Sequence, residues 1–366
     1  MPIQNTTRIH FALRRGIIAV ACLCACAIMG SAHAQQGAAP ALAPSPSLAE
    51  LAMYSGADRT ARLVAGAKKE GVVNIYSSVT IDDMRVLSSA FEKKYGVKLQ
   101  AWRASSESIL QRALVEYRGG RYEVDAIETS ASEMESLHRE RLLQAVKTPL
   151  LADIFQAAKQ PHGEWVGDRL NIISQAYNPN LVKKADLPKS YEDLLNPRWK
   201  GKLGIEADDS VWFGTLASEM GEAKAVRLFR EIARTNGLSV RKGHTLIANL
   251  IISGEIPFGI TVYHYKAEQL KNSGAPIEWY VIPPGIARFL GTGVMRRAAH
   301  PHAAILFLDF MLSDAQSLLL GRDFTPTNMT VKPLDIPFRL VDPARVLDEG
   351  DKWQKLYEEI VVKQGK

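Results

Sequence analysis

The sequence predicts an α/β protein built as two lobes, and three observations carry that prediction. Apolar, β-branched runs at Val72–Tyr76, Val97–Trp102 and Tyr122–Ile127 are each followed by a helical stretch. Strands that alternate with helices imply a parallel sheet with helices on its faces. The body from about Leu48 onward exceeds 300 residues, which favours two domains or lobes over one. All three cysteines (Cys22, Cys24, Cys26) precede that body, so the fold rests on a buried core and has neither disulfides nor a thiolate metal site.

Residues 1–34 read as a targeting signal. Arg8, Arg14 and Arg15 form its basic region, Ile17 to Met29 its apolar core, and Ala32-His33-Ala34 a small-x-small cleavage site. Leu23-Cys24-Ala25-Cys26 offers a lipid anchor at Cys26 as an alternative. Residues 35–47 are rich in Ala, Pro and Gln and read as a flexible leader. Removing the signal takes the formal charge from +6 to +3, and no basic run interleaved with aromatics follows, so nucleic acid is not an expected partner. No later run approaches the roughly 18 apolar residues needed to span a membrane.

Along the body, Asp58 to Glu70 has helical spacing and stops at Gly71. The first strand ends in Ser77-Ser78, and Thr80 with Asp83 caps the next helix, which runs to about Tyr95. The second strand ends in Arg103-Ala104-Ser105-Ser106, and its helix ends at Gly119-Gly120. The third strand ends in Glu128-Thr129-Ser130, with a helix to about Arg141. Trp165 to Tyr177 reads as a longer extended segment, and Leu203 to Glu206 as a strand before a helix headed by Asp208 and Asp209. Lys224 to Asn236 is an amphipathic helix, Leu238 to Val240 a short strand, and Arg241 to Thr245 opens another helix. Ile256 to Val262 is a buried strand running into Tyr263-His264-Tyr265 and a helix to about Asn272. Pro276 to Ile282 and Gly291 to Met295 are strand-like, and Pro301 to Leu312 is a helix with proline at its start. Ser313 with Gln316 reads as a capping box, Thr325 to Asn328 as irregular, and Lys352 to Lys363 as a closing helix.

In a parallel sheet the carboxyl ends of the strands share one rim, where ligands bind. Ser77, Ser78, Ser105, Ser106, Thr129 and Ser130 therefore gather beside free N–H groups at helix starts, an arrangement suited to a small anion or polar ligand. Each of these taken singly is an ordinary N-cap. Tyr263 and Tyr265 present phenols at a second such edge, and half-buried tyrosines hydrogen-bonded at a strand end are the plainer account of them.

Several stretches resemble the extracellular solute-binding proteins of bacterial ABC importers, in the group often labelled iron(III) binding proteins. These are Gly71 to Ser78, Ala90 to Gly96, Pro188 to Leu194, Pro197 to Gly204, Ser253 to Pro257 and Ala303 to Ser313, with Pro188 to Gly204 the most specific. The resemblance implies the type 2 periplasmic binding fold: two lobes joined by crossover strands, a ligand held in the cleft, and closure by hinge bending. The expected layout is a first lobe of 48–165 with a return segment 286–328, and a second lobe of 166–285 with 329–366 packed on it. The implied partners are a small-molecule or metal ligand and an inner-membrane ABC permease, for a monomer in the periplasm that is not an enzyme.

Ferric-binding members of the family place adjacent tyrosines where this chain has His264 and Tyr265, and often a histidine or carboxylate where it has Ser77-Ser78. Tyr263 and Tyr265 are thus metal ligands only if the cargo is ferric iron, whose hardness favours phenolate oxygen. The competing cargo is a small organic or phosphorylated anion. For it Ser77, Ser78, Arg103, Ser105, Ser106, Glu128 and Thr129 would come from one lobe, and Asp208, Arg241, His244, Tyr263 and Tyr265 from the other. Neither Gly-x-Ser-x-Gly, a P-loop nor His-Glu-x-x-His is present. A hydrolase or lyase on the same fold, and a receptor-docking protein without cargo, are the alternatives.

Overall fold

In the computed structural model, which describes residues 47–334 and 338–364, the alternating first third folds as a βα succession. The expected signal and all but the last residue of the expected leader lie outside the described residues. That last residue, Ser47, caps a short helix α1 (Leu48–Met53) and forms a reciprocal box with Glu50. The chain continues through α2 (Arg59–Glu70), β1 (Val72–Ser77), α3 (Ile81–Tyr95), β2 (Lys98–Arg103), α4 (Ser106–Arg118), β3 (Ala126–Ser130) and α5 (Ala131–Arg139). Gly71 and Gly96 end α2 and α3 in the left-handed region, at φ of 74° and 67°, where a side chain would be strained.

After β4 (Leu143–Gln144) comes β5 (Trp165–Tyr177), buried along all 13 residues. Then follow β6 (Leu203–Glu206), α6 (Ser210–Met220), α7 (Glu222–Asn236), β7 (Ser239–Arg241), α8 (His244–Ser253), β8 (Phe258–Tyr263), α9 (His264–Asn272) and β9 (Glu278–Tyr280). The end of the chain holds β10 (Ile286–Met295), α10 (Pro301–Leu312), α11 (Asp314–Leu320), β11 (Thr325–Pro326), β12 (Arg339–Leu340) and α12 (Pro343–Tyr357).

The sheet runs β2-β1-β3-β10-β5-β8-β6-β7. Within β2-β1-β3 and within β8-β6-β7 the pairs are parallel, while β10 and β5 run antiparallel to each other and to their outer neighbours. Two large cores flank this join. One contains Ile75, Phe91, Ile127, Trp165, Phe307 and Phe310; it ends on β5 at Ile172 and resumes on β10 at Ala287. The other takes over at Ile173 and Ile286, and holds Tyr191, Phe213, Phe229 and Phe258. Trp353 and Tyr357 of α12, with Ile360 and Val361 beyond it, belong to this second core. Two long strands therefore pass from one lobe to the other, and each lobe has its own apolar interior.

Several local expectations are corrected. Ser313 makes no cap bond; its hydroxyl donates to the Asp309 carbonyl, and Gln316 reaches Asp168 and Met311 instead. Thr325-Pro326 is not irregular but pairs with β5 at Leu170 and Arg169. β10 begins five residues before the expected Gly291, at Ile286, and the closing helix begins at Pro343, where Asp342 caps it. α6 and α12 meet so closely that a Cβ at Gly214 would lie 2.7 Å from the Trp353 ring. Gly214→Ala is accordingly expected to cost about 1–3 kcal/mol through overpacking, read as a lowered thermal midpoint. An unchanged midpoint would mean that α12 yields freely.

Candidate functional site

Each lobe has three parallel strands, and their carboxyl ends lie on one edge of that lobe. In the first lobe the centre of this edge is Glu128, which is fully buried. Its Oε2 accepts from the Ser77 hydroxyl at 2.6 Å and the Ser78 N–H at 3.2 Å, and its Oε1 accepts from Arg169 Nη2 at 2.6 Å. Arg169 also donates from Nη1 to Asp168 Oδ1 at 2.7 Å, and Thr292 donates to Asp168 Oδ2 at 2.7 Å. Ser105 caps α4, accepting from the Ser108 N–H, and Ser106 Oγ lies 2.8 Å from Ser130 Oγ. Arg103 is exposed at the end of β2.

In the second lobe the edge gathers around Asp209. The structure corrects the expectation here by one residue: Asp208 is exposed and pairs with Lys242 at 2.9 Å, whereas Asp209 is 2% exposed. Asp209 makes no cap bond to α6; its Oδ1 lies 3.4 Å from His244 Nε2. His244 Nδ1 is 3.4 Å from the Thr261 carbonyl, a contact that places a proton on Nδ1. Burial opposes a charge on His244, but Asp209 and Glu206 outweigh it and raise its pKa. Glu206 accepts backbone N–H groups from Asp208 and Gly243, at 2.5 and 2.8 Å, and so holds the two loops together. Arg241 donates to the Val240 carbonyl and approaches Glu255 at 3.7 Å.

The tyrosines stand between the two edges. Their rings stack at 5.8 Å and 18°, so the structure does bring Tyr263 and Tyr265 together. Tyr263 also lies against the His244 ring at 3.7 Å and accepts a hydrogen bond from Arg288, which projects from β10. Tyr265 stacks on Phe324 at 4.1 Å and belongs to the first lobe's core, although its helix follows a second-lobe strand. Burial raises both phenols, Tyr265 to about 12, so both remain protonated donors at neutral pH. His264 turns the other way. Its Nδ1 accepts the Ile172 N–H and its Nε2 meets Thr325, and burial lowers its pKa to about 4, leaving a neutral structural group. Beside the site Gln269 of α9 reaches Asp83 of α3 at 3.4 Å, which joins the lobes.

Some buried polar atoms around these edges have no protein partner. They are the hydroxyls of Ser78 and Thr129, the Nε of Arg169 and Arg288, Asn171 Oδ1 and Asp209 Oδ2. Four are donors and two are acceptors, and a buried donor left unmade costs about 1–3 kcal/mol. Such a set is complemented by a ligand rich in acceptors that also carries a donor.

Among the described residues, two clusters have metal-like spacing. Glu206, Asp209 and His244 bring one donor atom each within 4.8 Å of one another, as do His138, His162 and Glu164. In the first, both ring nitrogens of His244 face acceptors, Nδ1 the Thr261 carbonyl and Nε2 Asp209, and the neighbouring carboxylates raise its pKa against burial, all of which favours a proton over a metal on this ring. In the second, His162 Nδ1 accepts the Glu164 N–H, so the proton sits on Nε2 where a metal would need the lone pair.

Sequence reasoning missed Asp168, Arg169, Glu206 and Arg288, and named Asp209 beside Asp208 only as a helix cap or cation ligand, not as the partner of His244. A signal existed for three of them. Asp168-Arg169 interrupts the apolar run Trp165 to Tyr177, and Arg288 sits between Ile286-Ala287 and Phe289-Leu290. Charges inside buried strands are rare unless paired or functional.

Residues 128–346 match the family model described as bacterial extracellular solute-binding protein. The Fe(3+)-binding periplasmic protein of Serratia marcescens is 26% identical over 306 residues, covering 77% of this chain and 88% of that protein. Iron-bound HitA from Pseudomonas aeruginosa superposes with a TM-score of 0.69 at 20% identity, covering 79% of this chain and 99% of its own. AfuA from Actinobacillus pleuropneumoniae, with exogenous fructose-6-phosphate bound, also gives a TM-score of 0.69, at 22% identity over 80% of this chain and 99% of its own.

Proposed function

We propose, for a chain that belongs to the bacterial extracellular solute-binding protein family, that it captures a small organic anion between its lobes and hands it to an inner-membrane ABC permease. The observation that carries this reading is the set of unpartnered buried donors: Ser78, Thr129, Arg169 and Arg288. A phosphate or carboxylate head group supplies the acceptors they lack, and charge-assisted bonds of this kind are the strong ones. Asp209 Oδ2 and Asn171 Oδ1 then take a hydroxyl or amino group from the rest of the ligand. Of the residues expected from the sequence, Ser77, Ser78, Glu128, Thr129, His244, Tyr263 and Tyr265 belong to this reading. Ser105, Ser106 and Asp208 are left as a cap, a rim contact and a surface ion pair. The relatives support export to the periplasm and binding without turnover.

Ferric iron is the second reading, favoured by the stacked phenols and by the iron-binding names among the relatives. Arg288 weighs against it, because a fixed cation bonded to the Tyr263 oxygen opposes a trivalent ion on the same atom.

A thermal-shift panel tests both readings. Ferric ion with and without citrate or carbonate is set against phosphate esters, phosphonates and carboxylates. A true ligand at about 100 times its dissociation constant adds about 2.7 kcal/mol to stability. Stabilisation by ferric ion alone, with a visible phenolate-to-iron colour, would sink the anion reading. Tyr263→Phe with Tyr265→Phe is expected to weaken anion binding about fivefold to a hundredfold, from two hydrogen bonds of about 0.5–1.5 kcal/mol each. Unchanged affinity in this pair removes the phenols from the site. Phenylalanine is the right replacement, because Tyr265 packs on Phe324 and alanine there would open the core.

A further inference from the structure

We propose that the buried triad of Glu128, Arg169 and Asp168 couples ligand capture to the uptake of one proton from solvent, with Asp168 as the acceptor. The inference rests on the anionic ligand proposed above. Its ground is a count of charges closed off from water. Asp168 and Glu128 are 0% exposed and Arg169 is 1% exposed. One guanidinium serves both carboxylates, through Nη1 at 2.7 Å and Nη2 at 2.6 Å. Two anions against one cation leave a negative charge without a partner, and a buried group so placed neutralises by taking a proton.

The hydrogen bonds say which carboxylate takes it. Glu128 accepts from the Ser77 hydroxyl and the Ser78 N–H besides Arg169, three donors in all. Asp168 has Arg169 and the single hydroxyl of Thr292. The groups packed around Asp168 from other elements offer no second cation among the described residues. Gln316 of α11 donates to the Asp168 backbone carbonyl, Thr327 sends its N–H to the same oxygen, and His264 of α9 is neutral. Tyr265 lies near Arg169 as a protonated phenol, and Arg288 of β10 is turned to Tyr263. Burial, against the pull of Arg169, brings the Asp168 carboxyl to about 7.

The triad adjoins the ligand donors. Arg169 Nε and the hydroxyls of Ser78 and Thr129 are buried without partners, and Ser78 and Thr129 flank Glu128 through its bonds and its chain. An anion on those donors adds a third negative charge near Asp168 and increases its hold on a proton. Above the Asp168 midpoint, capture then brings one proton from solvent to the Asp168 carboxylate. Affinity therefore falls as pH rises, by about tenfold per pH unit at the limit.

Calorimetry with glycerol 3-phosphate at about pH 8, in two buffers of different ionisation heat, reads this directly. The wild-type protein should take up close to one proton more than Asp168→Asn, and the comparison cancels the probe's own titration. Equal uptake by the two proteins overturns the inference. Absence of heat with both defeats the phosphate reading of the site but leaves the triad to a second measurement. Carboxyl 13C NMR of the ligand-free protein should place the Asp168 midpoint near 7, and Glu128→Gln should lower it. A midpoint near 4, the ordinary aspartate value, overturns the proposal whatever the ligand.

Discussion

Arg288→Met is expected to weaken capture of an anionic ligand sharply while leaving a folded protein. Arg288 reaches from the crossover strand β10 to the hydroxyl of Tyr263, and its Nε–H is buried without a partner. Methionine keeps much of the length and apolar stem but removes every donor. Truncating one side of a buried, hydrogen-bonded charge contact costs about 2–5 kcal/mol, or roughly thirtyfold to several thousandfold in affinity. Asp209 keeps His244 at 3.4 Å, so the loss does not strand a second charge. Arg288→Lys should fall between, because the charge stays but the planar fork is lost. Calorimetry on whichever anion stabilises the wild-type protein decides it. Wild-type affinity in Arg288→Met would place the ligand elsewhere, and a ferric ligand bound more tightly by the variant would support the metal reading.

Arg169→Met acts on the fold itself. It leaves Glu128 and Asp168 buried side by side with no cation. Breaking a buried pair in this way costs about 3–5 kcal/mol. The loss depends on pH with a definite sign. Asp168 already sits above its ordinary value, and removing Arg169 withdraws the charge that lowers it. A carboxyl whose folded pKa exceeds its unfolded value contributes stability that is present at low pH and lost as pH rises through the folded value. The variant should therefore lose stability more steeply than wild type as pH rises from about 5 to above neutrality. Adding Glu128→Gln and Asp168→Asn removes both stranded charges and should restore much of the midpoint. A pH-independent loss that the extra substitutions do not relieve would show packing, and not charge, as the main role of Arg169.

Much of the lobe architecture was legible. Val72–Ser77 and Leu203–Glu206 announce themselves as short apolar runs bounded by turn or cap residues, and His264–Asn272 ends where its pattern stops. The serine- and threonine-bearing tips of the first lobe follow from parallel strands alone. What eluded the sequence is instructive for a common reason. Asp208 and Asp209 look alike in the chain, yet the start of α6 exposes one and buries the other against His244. Ser313 and Gln316 have the spacing of a capping box, but Gln316 is drawn into the polar interior beside Asp168 and the cap never forms.

The chain by itself determined the alternation of strands and helices, the absence of cysteine from the body, and the clustering of hydroxyls and phenols at strand ends. These depend on periodicity and local sterics, which act within a few residues. Only the tertiary structure decided that Arg169 neutralises Glu128, 41 positions away, and that Arg288 meets Tyr263 across 25. It also decided that Tyr265 packs into the first lobe's core. Those choices belong to the two crossover strands, whose register sets which charges face one another in a space without water. There Coulomb energy and desolvation are largest, and no local pattern encodes them.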